Sequence, residues 1–328
     1  MTNNMEYCVV IRTLGTAGDK YQQLLDSILK QTIKPNKILV YLPYGYSQPK
    51  ETIGFERIVR CDKGMVMQRS LSFDEVDTDW ILFCDDDLSF PPNFVEKLAL
   101  MQEKENGDCV VADSSNEKRT FCSSLLSFIH TYSHPHFDKK WRVKICRSGV
   151  FSYSLNWSND VMLTQSANFR CFLCRKNAYK SIHFQDERWL DTFGYASCDD
   201  QLFFYKLYLY GYKVWYGKTA MIHLDAKAGG RHDVSKKMYL QKKLGFVIWY
   251  RTIYNINSKS QFEKMLCVLA YIRRCFILFL MIGFEILYYK KVNYIWDFFR
   301  AQIDGYKYVH SEEYKKIPSY DAYCGLKS

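Results

Sequence analysis

Residues 80–98 read WILFCDDDLSFPPNFVEKL. Ile81, Leu82, Phe83 and Cys84 form an apolar run too short for a helix of its own, so the run reads as a buried strand. Pro91 and Pro92 end what precedes them and suit the first turn of a helix, which the spacing predicts from about Asn93 to Lys104. Asp85, Asp86 and Asp87 then sit where a strand leaves the sheet, the usual ligand position in open α/β folds. Three adjacent carboxylates repel one another, and a folded protein tolerates them best when a cation neutralises the site. A solvated acidic turn explains the three letters equally well, but not the apolar strand directly before them.

Outward from that stretch, strands and helices alternate. Upstream, Tyr7 to Arg12 reads as a buried strand, Gly15 and Gly18 as a loop, and Tyr21 to Gln31 as a helix with Leu24, Leu25, Ile28 and Leu29 at helical spacing. Lys37 to Leu42 is a second strand, Phe55 to Cys61 a third, and Gly64 to Phe73 a helix; downstream, Cys109 to Ala112 is another strand. This alternation predicts a parallel, doubly wound sheet. The pattern weakens from Asp113 to Asn159, and Asn168 to Arg175 is apolar again. Asp199 to Tyr210 reads as a helix with Phe203, Leu207 and Tyr210 on one face, Gly211 as its C-terminal cap, and Tyr212 to Tyr216 as a strand. Asp199 and Asp200 open that helix, where capping and dipole matching account for one acid comfortably and less well for a pair.

With these residues in place, the chain resembles the family 2 inverting glycosyltransferases of the GT-A fold, of the bacterial surface-polysaccharide type. The resemblance runs from about Tyr7 to His223 and more loosely beyond. QTIKPNKILV is similar to the end of that family's first βαβ unit, DKGMVMQRSL to the segment that approaches the nucleotide, FCDDDLSFPPNFVEKL to its D-x-D strand end, and DDQLFFYKLYLYGYKV to its E-D helix and following strand. The resemblance implies a GT-A-type, Rossmann-like, mostly parallel sheet with helices on both faces. It implies a donor pocket holding Arg12, Thr13, Gly64, Arg69, Asp85 and Asp86, with Asp85 facing the ribose. Asp87 and His223 would hold a divalent metal, Mg2+ or Mn2+, and Asp200 would be the catalytic base with Asp199 beside it. Two departures stand out. Tyr41, Leu42 and Pro43 occupy the place of an acidic pair that usually meets the nucleotide base, and Arg12 replaces a usual proline.

The chemistry asks for these residue types in any case. Breaking a sugar–diphosphate bond builds negative charge on the leaving group, which a cation on hard oxygen ligands stabilises. An acceptor hydroxyl needs a carboxylate to take its proton. A rival reading is a haloacid-dehalogenase-type phosphatase, because ILFCDDDLS fits its motif too, though that motif normally lies on the first strand of its domain. A second rival is a membrane-bound scaffold of the same fold that has lost its chemistry. His130, His134 and His136 form an HxxxHxH stretch that suits an exposed loop more than a metal site, and Cys171 with Cys174 forms a CxxC that has no second pair to complete a zinc site.

Charge divides the chain. Residues 1–225 balance at 27 basic and 27 acidic side chains, whereas residues 226–328 carry 18 basic and 8 acidic, so the whole net charge of +10 lies in the last third. Such asymmetry points to an anionic surface. Nucleic acid is the poorer candidate, because the basic residues lie beside apolar helices rather than in a recognisable binding module. Met265 to Ile272 and Cys275 to Phe284 are apolar, but Arg273 and Arg274 split them into runs too short to span a bilayer, so the expectation is an interfacial helix or a packed one. MTNNMEYCVVIRT shows no secretory signal, and 12 irregularly spaced cysteines, many in apolar runs, read as thiols in a reducing compartment. The expected organisation is a nucleotide-sugar half over residues 1–112, an acceptor and base half over 113–225, and a basic, apolar helical region over 226–328, in a cytoplasmic protein peripheral on the inner face of the cell membrane. The expected partners are a nucleotide-diphospho-sugar, a saccharide or lipid-linked acceptor and that membrane surface.

Overall fold

The computed structural model describes residues 5–113, 140–154, 159–194, 198–224, 234–256, 260–289 and 293–320. In chain order the elements are β1 (Tyr7–Arg12), α1 (Asp19–Leu29), β2 (Lys37–Pro43), β3 (Arg57–Cys61), α2 (Met65–Arg69), β4 (Trp80–Asp85), β5 (Leu88–Ser89), α3 (Phe94–Glu105) and β6 (Cys109–Asp113). They continue with β7 (Trp141–Ile145), β8 (Phe151–Tyr153), β9 (Val161–Thr164), β10 (Cys171–Arg175), α4 (Lys176–Ser181), α5 (Trp189–Thr192), α6 (Asp199–Leu209), β11 (Val214–Lys218) and β12 (Ile222–His223). The last third is helical: α7 (Val234–Trp249), α8 (Gln261–Tyr289), α9 (Asn293–Val309) and α10 (Glu312–Lys315).

β1 shows why its sequence is apolar without a break. Its side chains alternate between faces, and both faces are covered. Tyr7, Val9 and Ile11 pack with Leu24, Leu25 and Ile28 of α1 and Phe94, Val95 and Leu98 of α3. Cys8 and Val10 face the other way, into a core built with Ala178 and Tyr179 of α4 and Leu202, Phe203 and Leu207 of α6. The helices therefore lie on both faces of the sheet, as expected.

Ten strands form one sheet in the order β3-β2-β1-β4-β10-β6-β11-β9-β7-β8. β3, β2, β1 and β4 run parallel, and β11 runs parallel to β6. The sheet is mostly parallel but not wholly so. β10 enters antiparallel between β4 and β6, and β9 pairs antiparallel with β11. The apolar letters of Asn168 to Arg175 carry no direction, so only the tertiary path reveals this reversal. The expected halves 1–112 and 113–225 share this one sheet.

Two predicted boundaries, the end of α2 and the start of β11, shift for local reasons. α2 stops at Arg69 rather than Phe73, because Phe73 adopts a left-handed backbone (φ 47°) and its ring is locked between Tyr41, Phe83 and Tyr179. β11 starts at Val214 rather than Tyr212. Gly211 (φ 85°) caps α6, and the N–H groups of Gly211 and Tyr212 donate back to Tyr208 and Leu207 carbonyls, which holds Tyr212 in the turn.

The largest correction is in the last third. The two apolar runs around Arg273 and Arg274 are one continuous helix, α8, whose segment Gln261–Gly283 is long and apolar enough to cross a membrane. Arginine is a good helix former, so two of them interrupt an apolar run without interrupting the helix. Arg274 donates to the Ser148 carbonyl (2.9 Å) and lies over the Tyr271 ring. Tyr271 stacks on Trp249 of α7 with centroids 4.1 Å apart, and its hydroxyl donates to Gln302 of α9.

Candidate functional site

Register brings the first contact. β1 and β4 are parallel neighbours, and their last residues, Arg12 and Asp85, pair. Arg12 Nη2 donates to Asp85 Oδ1 at 2.9 Å and also reaches the Phe169 carbonyl. The residue that departs from the family's proline is thus the partner of the first aspartate. Next along the chain, Thr13 Oγ1 donates to Asp86 Oδ2 and accepts from the Gly15 N–H.

Asp87 is met from far along the sequence. β12 pairs antiparallel with β5, with His223 opposite Leu88, and the Leu224 N–H donates to the Asp87 carbonyl. This small ladder sets His223 Nε2 3.1 Å from Asp87 Oδ2, while His223 Nδ1 is buried without a hydrogen-bond partner.

The second acidic pair arrives on α6. Asp199 is buried and forms an ion pair with Arg69, whose guanidinium lies 4.3 Å above the Phe169 ring. Asp200 Oδ1 accepts from the backbone N–H of its neighbour Gln201, and among the described residues Asp200 forms no ion pair. The two acids differ in kind: Asp199 is in contact with Arg69, whereas Asp200 feels the same guanidinium only through space. Arg69 itself is pushed down to about 10, by burial first and by Arg12 next, against the pull of Asp85 and Asp200.

Asp85 lies between the two groups. Burial raises its pKa, Arg12, Arg69 and His223 lower it, and Asp87 raises it again. Burial pushes the Asp86 carboxyl up to about 6, with Asp85 and Asp87 adding to the rise against the Thr13 hydrogen bond. Burial likewise raises Asp200, Arg69 lowers it, and Asp85 adds to the rise. Five carboxylates thus face two guanidiniums and one imidazole. Such a cluster is short of positive charge, which is what a divalent cation supplies.

Other expected residues fall into place for reasons that the sequence hides. Gly64 stands against Asp191: a Cβ there would lie 2.6 Å from Asp191 Oδ2 and 2.7 Å from Met67 Cβ. Asp191 in turn accepts from the N–H groups of Val66 and Met67 at the start of α2, the helix that ends in Arg69. Tyr41 is buried and its hydroxyl donates to Glu75 (2.8 Å), so an acid does reach this strand, from a different segment. Sequence reading missed Phe169, whose ring lies under both Arg12 and Arg69, and Asp191; neither carries a motif.

The weaker metal readings gain nothing. Cys171 and Cys174 are free, buried and on opposite faces of β10, so they cannot share an ion. His130, His134 and His136 lie outside the described residues. Among the described residues no cluster of three or more His, Cys, Asp or Glu side chains could hold a metal by itself. Asp87 and His223 offer two ligands, and a Mg2+-like ion that takes its remaining ligands from substrate phosphates and water fits such a pair.

Residues 54–157, which include α2, β4 and the three aspartates, match the family described as Glycosyl transferase family 2. That stretch is similar to the family 2 glycosyltransferases. The match favours the transferase over the phosphatase reading of the same aspartates, and it agrees with the mostly parallel GT-A type of sheet. Solved structures to which the chain is similar include GalNAc-T7 with UDP, GalNAc and Mn2+ at 11% identity and a TM-score of 0.47, covering 79% of this chain and 52% of that one. S. aureus TarS 1-349 in complex with UDP-GlcNAc aligns at 14% identity and a TM-score of 0.49, covering 92% of this chain and 80% of that one. A second S. aureus TarS structure aligns at 14% identity and a TM-score of 0.45, covering 83% and 44%. The chain thus spans about half the length of the GalNAc-T7 chain. No curated protein matches the sequence.

Proposed function

We propose that this protein is a family 2 glycosyltransferase that moves a sugar, with inversion, from a nucleotide-diphospho-sugar to a hydroxyl of a saccharide or lipid-linked acceptor. The observation that carries the reading is the meeting of Asp87 with His223 beside a second acidic pair in which one carboxylate, Asp200, is left uncommitted. Asp87 and His223 would hold Mg2+ or Mn2+, which when bound stabilises the charge on the departing diphosphate. Arg12 holds Asp85, and Thr13 holds Asp86, in fixed positions for the donor. Arg69 neutralises Asp199 and leaves Asp200 as the base. In the transfer, the acceptor oxygen bonds to the anomeric carbon from the face opposite the diphosphate. The carbon–oxygen bond to the diphosphate breaks, the nucleoside diphosphate leaves with the electron pair, and the acceptor's proton passes to Asp200.

We place this activity in the cytoplasm, at the inner face of the cell membrane. The described cysteines are free, mostly buried thiols, which suits a reducing compartment, and the basic excess of residues 226–328 suits an anionic surface. The test is a panel of nucleotide-sugars and nucleoside diphosphates, with and without Mn2+, read by thermal shift and then by donor hydrolysis. A bound donor raises apparent stability, and the expected result is a metal-dependent rise for one nucleotide class. No rise and no hydrolysis with any donor would leave the scaffold reading in its place.

A further inference from the structure

We infer that α8 and α9 together form one in-plane docking face for an anionic lipid bilayer, with α8 lying on the membrane rather than crossing it. This deepens the proposed membrane location, and it rests on that location but not on the transferase chemistry.

α8 has two unlike faces. Cys267, Tyr271, Leu278 and Ile282 are buried, and Arg274 is tied to the Ser148 carbonyl, so this side is fastened along its length to the rest of the protein. On the other side Phe262, Met265, Leu269, Ile272, Phe276 and Leu280 recur at helical spacing and stand 45–62% exposed. Only 22% of the apolar Gln261–Gly283 window is buried. A helix fixed to a folded domain along one side cannot thread a bilayer, because the domain would have to follow it. The same helix can set its open side into the headgroup boundary.

α9 repeats the arrangement. Tyr294, Phe298, Ala301 and Val309 are buried, and Trp296, Phe299, Ile303 and Tyr306 are 47–72% exposed on the opposite side. The rings of Phe279 on α8 and Phe299 on α9 meet at 5.8 Å, which joins the two open stripes. Arg300 and Lys307 are exposed at the edge of the α9 stripe. Exposed apolar area of this extent marks an interaction site. Its chemistry selects a lipid surface over a second copy: protein interfaces are poor in lysine at their cores, whereas Trp and Tyr beside Arg and Lys are the composition of membrane–water boundaries. The charge agrees, since residues 226–328 carry an excess of 10 basic side chains that two like copies would have to bring together.

The experiment is sedimentation of the full chain with vesicles of phosphatidylcholine alone or mixed equally with phosphatidylglycerol, at low and high salt, beside its oligomeric state by light scattering. The expected result is binding to the anionic vesicles, weakened but not lost in high salt, by a monomer. Arg300→Glu with Lys307→Glu should weaken binding on the order of 10–100-fold, and Ile272→Glu with Phe276→Glu should abolish it. These side chains are exposed, so both variants should keep their circular dichroism and their thermal response to donor. Brominated lipid should quench the wild-type fluorescence more than that of Trp296→Phe. Folded wild-type protein that ignores both vesicles would overturn the proposal. So would a dimer that Ile272→Glu with Phe276→Glu takes apart, because the face would then belong to a second copy.

Discussion

His223 Nε2 lies 3.1 Å from Asp87 Oδ2, across 136 residues of sequence and a ladder of only two residues on each strand. Among the described residues this is the one ion pair that either residue forms, and His223 Nδ1 is buried without a hydrogen-bond partner there. A cation inserted between these atoms would replace one polar contact with two ligand bonds. Asp87→Ala is therefore expected to remove the Mn2+-dependent part of donor stabilisation while leaving the metal-free melting temperature nearly unchanged. His223→Ala should weaken the same response without abolishing it. Full metal dependence in the Asp87 variant would send the assignment elsewhere.

Asp200→Asn is nearly isosteric and should lower turnover about 10²–10⁴-fold, the usual worth of an acid–base group, with donor affinity little changed. The contrast is Asp199→Asn, which strips the charge from the Arg69 partner and should disturb donor binding as well. Near wild-type transfer by Asp200→Asn would assign the proton to another group.

Burial raises the Asp200 carboxyl above the ordinary aspartate range and Arg69 holds it down. A base works only when ionised, so the acidic limb of the kcat/KM profile should lie above that range. Removing the neighbouring cation should raise it further, and Arg69→Gln is expected to shift the limb upward. A limb that stays put in this variant would show that it reports a different group.

Asp191 serves two neighbours at once. It accepts from Val66 and Met67 at the start of α2, and it occupies the space that a side chain at position 64 would need. Asp191→Ala should cost about 1 kcal/mol, as for a lost helix cap, and should lower activity by loosening the helix that carries Arg69. Gly64→Ala should be worse, at about 1–3 kcal/mol for forced overpacking. Denaturant titration of the two variants beside wild type measures both.

Glu187 is fully buried between Lys206 of α6 and Arg251 beyond α7, with Trp189 Nε1 donating as well. Burial opposes its ionisation, yet Arg251 and Lys206 outweigh it and hold the carboxyl down to about 2 from an ordinary 4.5. A depressed acid stabilises the fold above its unfolded pKa and loses that contribution as pH falls through the folded one. Glu187→Gln should therefore cost about 3–5 kcal/mol near neutral pH, as for one partner removed from a buried ion pair. The gap to wild type should close as pH falls from about 4.5 toward 2. A gap that does not vary with pH would mean that the group contributes by packing alone.

What could be read in the letters was whatever depends on neighbours in the chain. The apolar run 81–84 and the prolines after it mark a strand end and a helix start because both signals are local. The acidic triplet and the acidic pair were visible for the same reason, and so was the glycine that caps α6. Tertiary structure decided everything that depends on which strands lie side by side. Register put Arg12 on Asp85, an antiparallel return put β10 between β4 and β6, and the β5–β12 ladder put His223 on Asp87. It also decided between two chemically equal neighbours, since nothing in the letters says that Asp199 meets Arg69 and Asp200 does not. In α8, composition suggested two short runs because it counts charges along a line. The helix instead turns Arg274 toward the protein and the apolar stripe away from it, a distinction of angle that a linear count cannot hold.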